Sequence, residues 1–218
     1  MKTVFFLIFF IQFVFTQGFI DYNYYYDTRE KTELTINKLY VINSSFNFFG
    51  FVNYSNAFKT ENKDDLEGFY SENNLRWKFN ESLPFSLTGQ WVLVGGEKND
   101  AFRLGLLWHV NESFKDVFKS LGGWYIINLH PYQFDFFEGH HWQIEHAYRV
   151  SFFKGKFYIN GFFDHNFDSE GNLTTVTEHQ FGVSVVGNLS LVVELRRNAY
   201  LKGNENGVGI GLEYFMGF

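Results

Sequence analysis

Residues 208–218 read VGIGLEYFMGF, and they separate into two sets. Val208, Ile210, Leu212, Tyr214, Met216 and Phe218 take one side; Gly209, Gly211, Glu213, Phe215 and Gly217 take the other. Successive side chains of a strand point to opposite faces, so this alternation gives each set its own face. A helix would scatter both sets around its axis. The glycines at 203, 207, 209, 211 and 217 argue against one as well.

The same period recurs upstream. Phe85, Leu87, Gly89, Trp91 and Leu93 alternate with Ser86, Thr88, Gln90 and Val92. Phe69, Leu75, Trp77 and Phe79 oppose Tyr70, Glu72, Asn74, Arg76 and Lys78. Trp142, Ile144, Tyr148, Val150 and Phe152 oppose Gln143, Glu145, Ala147, Arg149 and Ser151. The spacing predicts about twelve strands: near 19–27, 32–43, 45–56, 67–80, 84–95, 100–110, 121–131, 140–153, 156–166, 174–187, 188–200 and 207–218. Most reach the roughly 9–11 tilted residues that cross a bilayer. Globular strands average about 5–6. Pro84 and Pro131 are expected at strand ends, where proline is tolerated.

The connections alternate too. Ser44-Ser45, Asn80–Pro84, Lys154-Gly155 and Gly187-Asn188 are short, whereas Ala57–Leu66, Tyr132–Gly139 and Phe167–Leu173 are longer and polar. Outer-membrane barrels have this asymmetry of turns and loops. The segment Asn111–Leu121 is too long for the turn side and reads as a short helical turn or as a slip in the count. The fold expected is all-β: a closed antiparallel transmembrane β-barrel of about twelve strands. A secreted soluble β-sandwich or lipocalin-like barrel competes with it, because it also alternates. Strand length and the rings ending the apolar faces (Tyr54, Trp77, Phe79, Trp108, Trp142, Tyr214) favour the membrane barrel.

Composition fits this reading. Aromatic residues make up 22% of the 218 residues and charged ones 19%. A lipid-facing surface can carry many rings, whereas water tolerates exposed apolar patches of only a few hundred Å2. There is no cysteine, hence no disulfide framework and no thiolate metal site. The net charge of −6 gives no reason to expect nucleic acid. Residues 1–18, MKTVFFLIFFIQFVFTQG, read as a secretory signal peptide, with Lys2 before an apolar run from Val4 to Phe15. Val14 with Thr16, or Thr16 with Gly18, supply small residues for cleavage, which leaves 19–218 as the barrel. No cofactor and no metal are expected. His141 and His146 are an odd number of positions apart, so alternation sends them to opposite faces. No nucleophile elbow supports an enzyme. Six N-x-[ST] sequons, from Asn43 to Asn188, match chance in an Asn-rich chain and leave a eukaryotic secreted protein open.

The face opposite the apolar one defines a lumen. It contains Glu72, Arg76, Lys78, Gln90, Arg103, His109, Gln143, Glu145, Arg149, Asp164, Glu194, Arg196 and Glu213, with the rings of Phe49, Phe51, Tyr158 and Phe162. Rings beside amides and charges suit a nucleoside: a base stacks on a ring for about 1–3 kcal/mol, and ribose hydroxyls pair with carboxylates or amides. The candidate solute-binding residues are therefore Phe49, Phe51, Glu72, Arg76, Gln90, Arg103, Glu145, Arg149, Tyr158, Phe162, Asp164, Glu194 and Arg196. The competing reading is that Arg–Glu pairs merely fill a closed barrel.

Two runs carry a family resemblance: HWQIEHAYRVSFFKGKFYINGFFDHNFD (141–168) and EHQFGVSVVGNLSLVVELRRNAYLKGNENGVGIGLEYFMGF (178–218). In ring and glycine placement the chain resembles the Tsx-like nucleoside-specific channel-forming outer-membrane family, in a short branch of it. The resemblance implies a monomeric twelve-stranded barrel in the outer membrane of a Gram-negative cell. It also implies a narrow lumen that passes nucleosides by diffusion. No individual binding residue carries over, because no family motif is present. The ending also resembles the signal read by the barrel assembly machinery, through Tyr214 and the terminal Phe218, with Glu213 where a glycine is expected. The partners expected are outer-membrane lipid, that machinery and a small polar solute. A closed structural or lipid-modifying barrel is the alternative.

Overall fold

The computed structural model describes residues 17–57, 68–95, 100–135 and 139–218. Residues 1–16 of the expected leader and parts of three expected loops (58–67, 96–99 and 136–138) lie outside the described residues. The strands are β1 (Gln17–Asp27), β2 (Lys31–Val41), β3 (Phe46–Ala57), β4 (Phe69–Trp77), β5 (Phe85–Val94) and β6 (Ala101–His109). Two short helices follow, α1 (Val110–Ser113) and α2 (Lys115–Leu121). The remaining strands are β7 (Gly123–Phe134), β8 (His141–Phe152), β9 (Phe157–Phe167), β10 (Leu173–Val186), β11 (Leu189–Asn198) and β12 (Asn206–Gly217).

Each strand pairs antiparallel with its chain neighbours, and β1 pairs with β12, so the twelve strands form one closed barrel. The seam continues to its last residues: Gly18 N–H donates to Phe218 O at 2.9 Å, and Phe218 N–H donates to Gly18 O at 3.1 Å. Gln17 and Gly18, expected in the leader, are thus paired residues of β1. Closure gives every strand two partners, which is what a chain in hydrocarbon needs without water to hydrogen-bond its backbone.

The burial pattern is the reverse of a soluble protein's. Outward Ile210 is 62% exposed and Leu195 56%, while inward Gln90 and Asn128 are fully buried. An apolar outside around a polar inside suits lipid, and this excludes the soluble alternative. Rings cluster on the outward face: Trp142 stacks on Phe167 at 3.9 Å, and Phe46 on Trp77 at 6.0 Å.

One expectation needs correction. Pro131 lies inside β7 rather than at its end. It sits where the β7–β8 register shifts, between His130 and Gln133, and opposite another shift at Leu104/Leu106 of β6. A bulge residue is unpaired, so the missing proline N–H breaks no ladder bond. Gly105 of β6 lies opposite the β7 bulge, and a Cβ there would strike the Leu129 carbonyl. For the segment 111–121 the helical alternative holds, and the strand count does not slip there. α2 ends at Gly122, whose φ of 62° is the left-handed conformation usual for a helix C-terminus.

One end of the barrel carries the tight connections after β2, β4, β8 and β10 and the helices after β6; we call it the turn rim. The other end is the loop rim.

Candidate functional site

All thirteen candidate residues share the inward face, because the cross-strand register keeps their parity around the ring. Phe51 pairs with Glu72, Gln90 with Arg103, Glu145 with Asp164 and Arg149 with Asn160. Phe162 pairs with Glu178, and Glu178 with Arg196.

Two polar networks gather most of them. The first joins β1, β2 and β8–β12. Tyr25 Oη donates to Gln180 Oε1 at 2.7 Å, and the Gln180 amide donates to Tyr158 Oη at 3.1 Å and to Glu213 at 2.6 Å. Arg149 lies 3.9 Å from Glu213, with its guanidinium 4.1 Å from the centre of the Tyr158 ring. Arg196 pairs with both Glu33 and Glu194 and lies 4.7 Å over Tyr25. Two glycines make room: β12 presents Gly209 beside Tyr25, and a Cβ at Gly182 would fall on the edge of the Tyr158 ring.

The second network spans β4–β8. Gln90 donates to Glu72 at 2.9 Å, and Arg103 donates to Gln90 and to Gln133, each at 2.6 Å. Tyr70 hydrogen-bonds Glu72, and Asn128 donates to Glu145 at 3.0 Å. Gln133 continues to Asp135 at 2.6 Å, which lies 3.4 Å from His141. At the turn rim, Lys78 pairs with Glu112 at 2.5 Å and Ser86 shares a 3.0 Å hydrogen bond with His109.

Among the thirteen candidates, those that keep partial exposure are Phe49 and Phe51 on β3, and Glu145, Arg149 and Phe162 on β8 and β9. β3 and the β8–β9 pair occupy opposite sectors of the twelve-strand ring. We call the part of the lumen between these two walls, one aromatic and the other carrying one ring and two charges, the slot. Phe49 has the Arg76 guanidinium 5.0 Å from its centre, and Phe51 leans on Tyr70 at 5.8 Å. A guanidinium thus already covers one face of Phe49 and of Tyr158. Asn74 Oδ1, Gln143 Oε1, Asn160 Oδ1 and Asp164 Oδ1 are buried in the lumen wall without a protein hydrogen-bond partner.

Several inward residues were not singled out in the sequence: Asp21, Asn23, Tyr25, Glu33, Gln180 and His130. For β1 the signal was present, since Asp21, Asn23 and Asp27 alternate, but Tyr24, Tyr25 and Tyr26 hid which ring turns in. His146 and His179 lie on the outward face. Their Nδ1 atoms are 2.6 Å from Tyr125 Oη and 3.0 Å from Tyr148 Oη, so tyrosine hydroxyls partner these imidazoles within the apolar band. Among the described residues, no group of three or more His, Asp or Glu could hold a metal ion. Tyr214 faces outward opposite Tyr22, and the Phe218 ring lies 5.9 Å from Tyr40.

These features define a closed twelve-stranded antiparallel β-barrel with an apolar outer face and a polar lumen. No protein-family model matches the sequence, and no curated protein matches it. Among solved structures the chain is similar to the KdgM porin, with a TM-score of 0.54 and 13% identity over 90% of this chain and 98% of that one. A second structure, the KdgM porin in complex with disordered oligogalacturonate, gives 0.53 and 12% over 90% and 98%. The NanC porin gives 0.58 and 9% over 89% and 98%. At these identities the likeness concerns the fold.

Proposed function

We propose that this barrel is an outer-membrane channel for passive diffusion of small polar solutes, nucleosides among them. The slot carries the reading: partly exposed Phe49, Phe51 and Phe162 stand with partly exposed Glu145 and Arg149 on its two walls. A base has ring faces to meet at Phe51 and Phe162, and ribose hydroxyls have the Glu145 carboxylate as acceptor. Weak contacts of this kind let a solute enter and leave. The oligogalacturonate of the KdgM complex belongs to that protein. Here carboxylates stand beside the arginines on both walls, which disfavours a polyanion. The Tsx-like resemblance of 141–168 and 178–218 supports the nucleoside reading, and the porin folds support a channel rather than an enzyme. The same proposal includes a cleaved leader, a Gram-negative outer membrane, assembly by the machinery that reads Tyr214 and Phe218, and a monomer.

The test is flux. Refolded protein in liposomes should pass nucleosides faster than galacturonate oligomers, and Phe51→Ala with Phe162→Ala should abolish the nucleoside preference. A folded, heat-modifiable barrel with no solute flux would refute the channel in favour of a closed structural or lipid-modifying barrel. Flux without nucleoside preference would remove only the nucleoside part.

A further inference from the structure

The segment 110–121 has no role in the slot, and its seat on the barrel suggests another. Phe114, Val117, Phe118 and Leu121 recur at the spacing of one helical face, with Lys115, Asp116 and Lys119 on the other. Phe118 stacks at 6.4 Å on Tyr125. Tyr125 points outward, so α2 folds over the outside of the barrel rather than across its mouth. Phe114, Val117 and Leu121 remain 52%, 53% and 46% exposed. They continue the apolar band of the barrel into the membrane interface, where amphipathic helices lie with the apolar side down.

The β8–β9 turn stands beside this helix, tied by the hydrogen bond from Ser151 N–H to Gly122 O at 3.1 Å. Phe153 of that turn is 78% exposed. Phe153 and Lys154 both hold left-handed backbone, at φ 52° and 59°, a conformation disfavoured for side chains other than glycine. Between turn and helix lies a cleft of about 530 Å3, lined by Lys119–Gly122 and Val150–Gly155. Lys119 and Lys154 line this cleft and are exposed, with Lys115 and Lys156 exposed on the same two segments, against the carboxylates of Asp116 and of Glu112, the latter already paired with Lys78.

We propose that this corner of the turn rim binds an anionic phospholipid. The phosphate would lie between Lys119 and Lys154, and the acyl chains would run along outward Val150 and Phe152. The charge complements an anionic headgroup, and the cleft is continuous with the lipid-facing band. This inference rests on the transmembrane fold and not on the channel reading, so it survives a barrel that conducts nothing.

The test is lipid selectivity. The full chain is refolded in phosphatidylcholine bilayers holding a trace of spin-labelled phosphatidylglycerol or spin-labelled phosphatidylcholine, and electron spin resonance measures the restricted fraction of each. The wild type should prefer phosphatidylglycerol, with each lysine near the headgroup contributing about fivefold. Lys119→Gln with Lys154→Gln should remove that preference, whereas Lys202→Gln on the loop rim should leave it unchanged. Equal association of both lipids with the wild type overturns the proposal, and so does a preference that survives the double substitution.

Discussion

Arg196→Met tests whether the first lumen network is dry. The guanidinium is shared by Glu33 and Glu194, and the three side chains are only 3%, 5% and 6% exposed. If water filled the lumen there, the pairs would behave as surface pairs, worth about 0–1 kcal/mol. In a water-excluded cluster, removing one partner strands the others and costs about 3–5 kcal/mol. The contact over Tyr25 at 4.7 Å is lost in either case. Lys31, 2.7 Å from Glu33, remains and offsets part of the stranded charge. The expected destabilisation is therefore near the lower end, about 3 kcal/mol. Urea unfolding in phosphatidylcholine vesicles, read by tryptophan fluorescence and by gel mobility of unheated samples, gives the value. Arg196→Lys should fall between, because an ammonium keeps the charge but not the fork that reaches two carboxylates. A loss below about 1 kcal/mol would refute a dry cluster and show that water reaches Arg196.

Gly182→Val should push the Tyr158 ring into the slot, costing about 1–3 kcal/mol of stability and lowering single-channel conductance. Unchanged conductance would show that the ring does not border the pathway. Glu30 holds φ 59° in the β1–β2 turn, so Glu30→Gly should stabilise the barrel by about 1 kcal/mol in the same urea assay. Asp168, in the β9–β10 turn, accepts the N–H of Glu170 at 2.9 Å and of Asn172 at 2.8 Å, and the Asn172 amide at 2.8 Å. The Asn172 side chain, then its backbone N–H, holds the Asp168 carboxyl below its ordinary range. Its contribution to turn order is thus complete above the ordinary carboxylate pKa and is lost as pH falls through the lowered one. Amide exchange at Gly171 and Asn172 should follow that profile, and Asp168→Asn should flatten it.

The sequence by itself determined which side of each strand faces which solvent. That property is local: with a period of two, the order of residues along β4, β5, β8 and β12 already sorts Glu72, Gln90, Arg149 and Glu213 away from Leu75, Trp91, Tyr148 and Tyr214. Strand number followed from the same period, and so did the parity of every candidate residue. Where Pro131 sits inside β7 was not legible, because a bulge is a mismatch between two strands and needs its partner to be seen. The partners across the lumen were not legible either. Tyr25 and Gln180 are 155 residues apart, and Glu33 and Arg196 163, and nothing in either segment specifies the other. Only closure brings them together, because the stagger of twelve strands fixes which residues share a level. That is why the tertiary structure decided which candidates are packed into networks and which keep partial exposure on β3 and β8–β9, and that Arg76 and Arg149 each cover a ring the sequence offered for stacking. It also decided the place of 110–121, since an amphipathic pattern gives a helix its face, while the Tyr125 ring beneath Phe118 decides which wall that face meets.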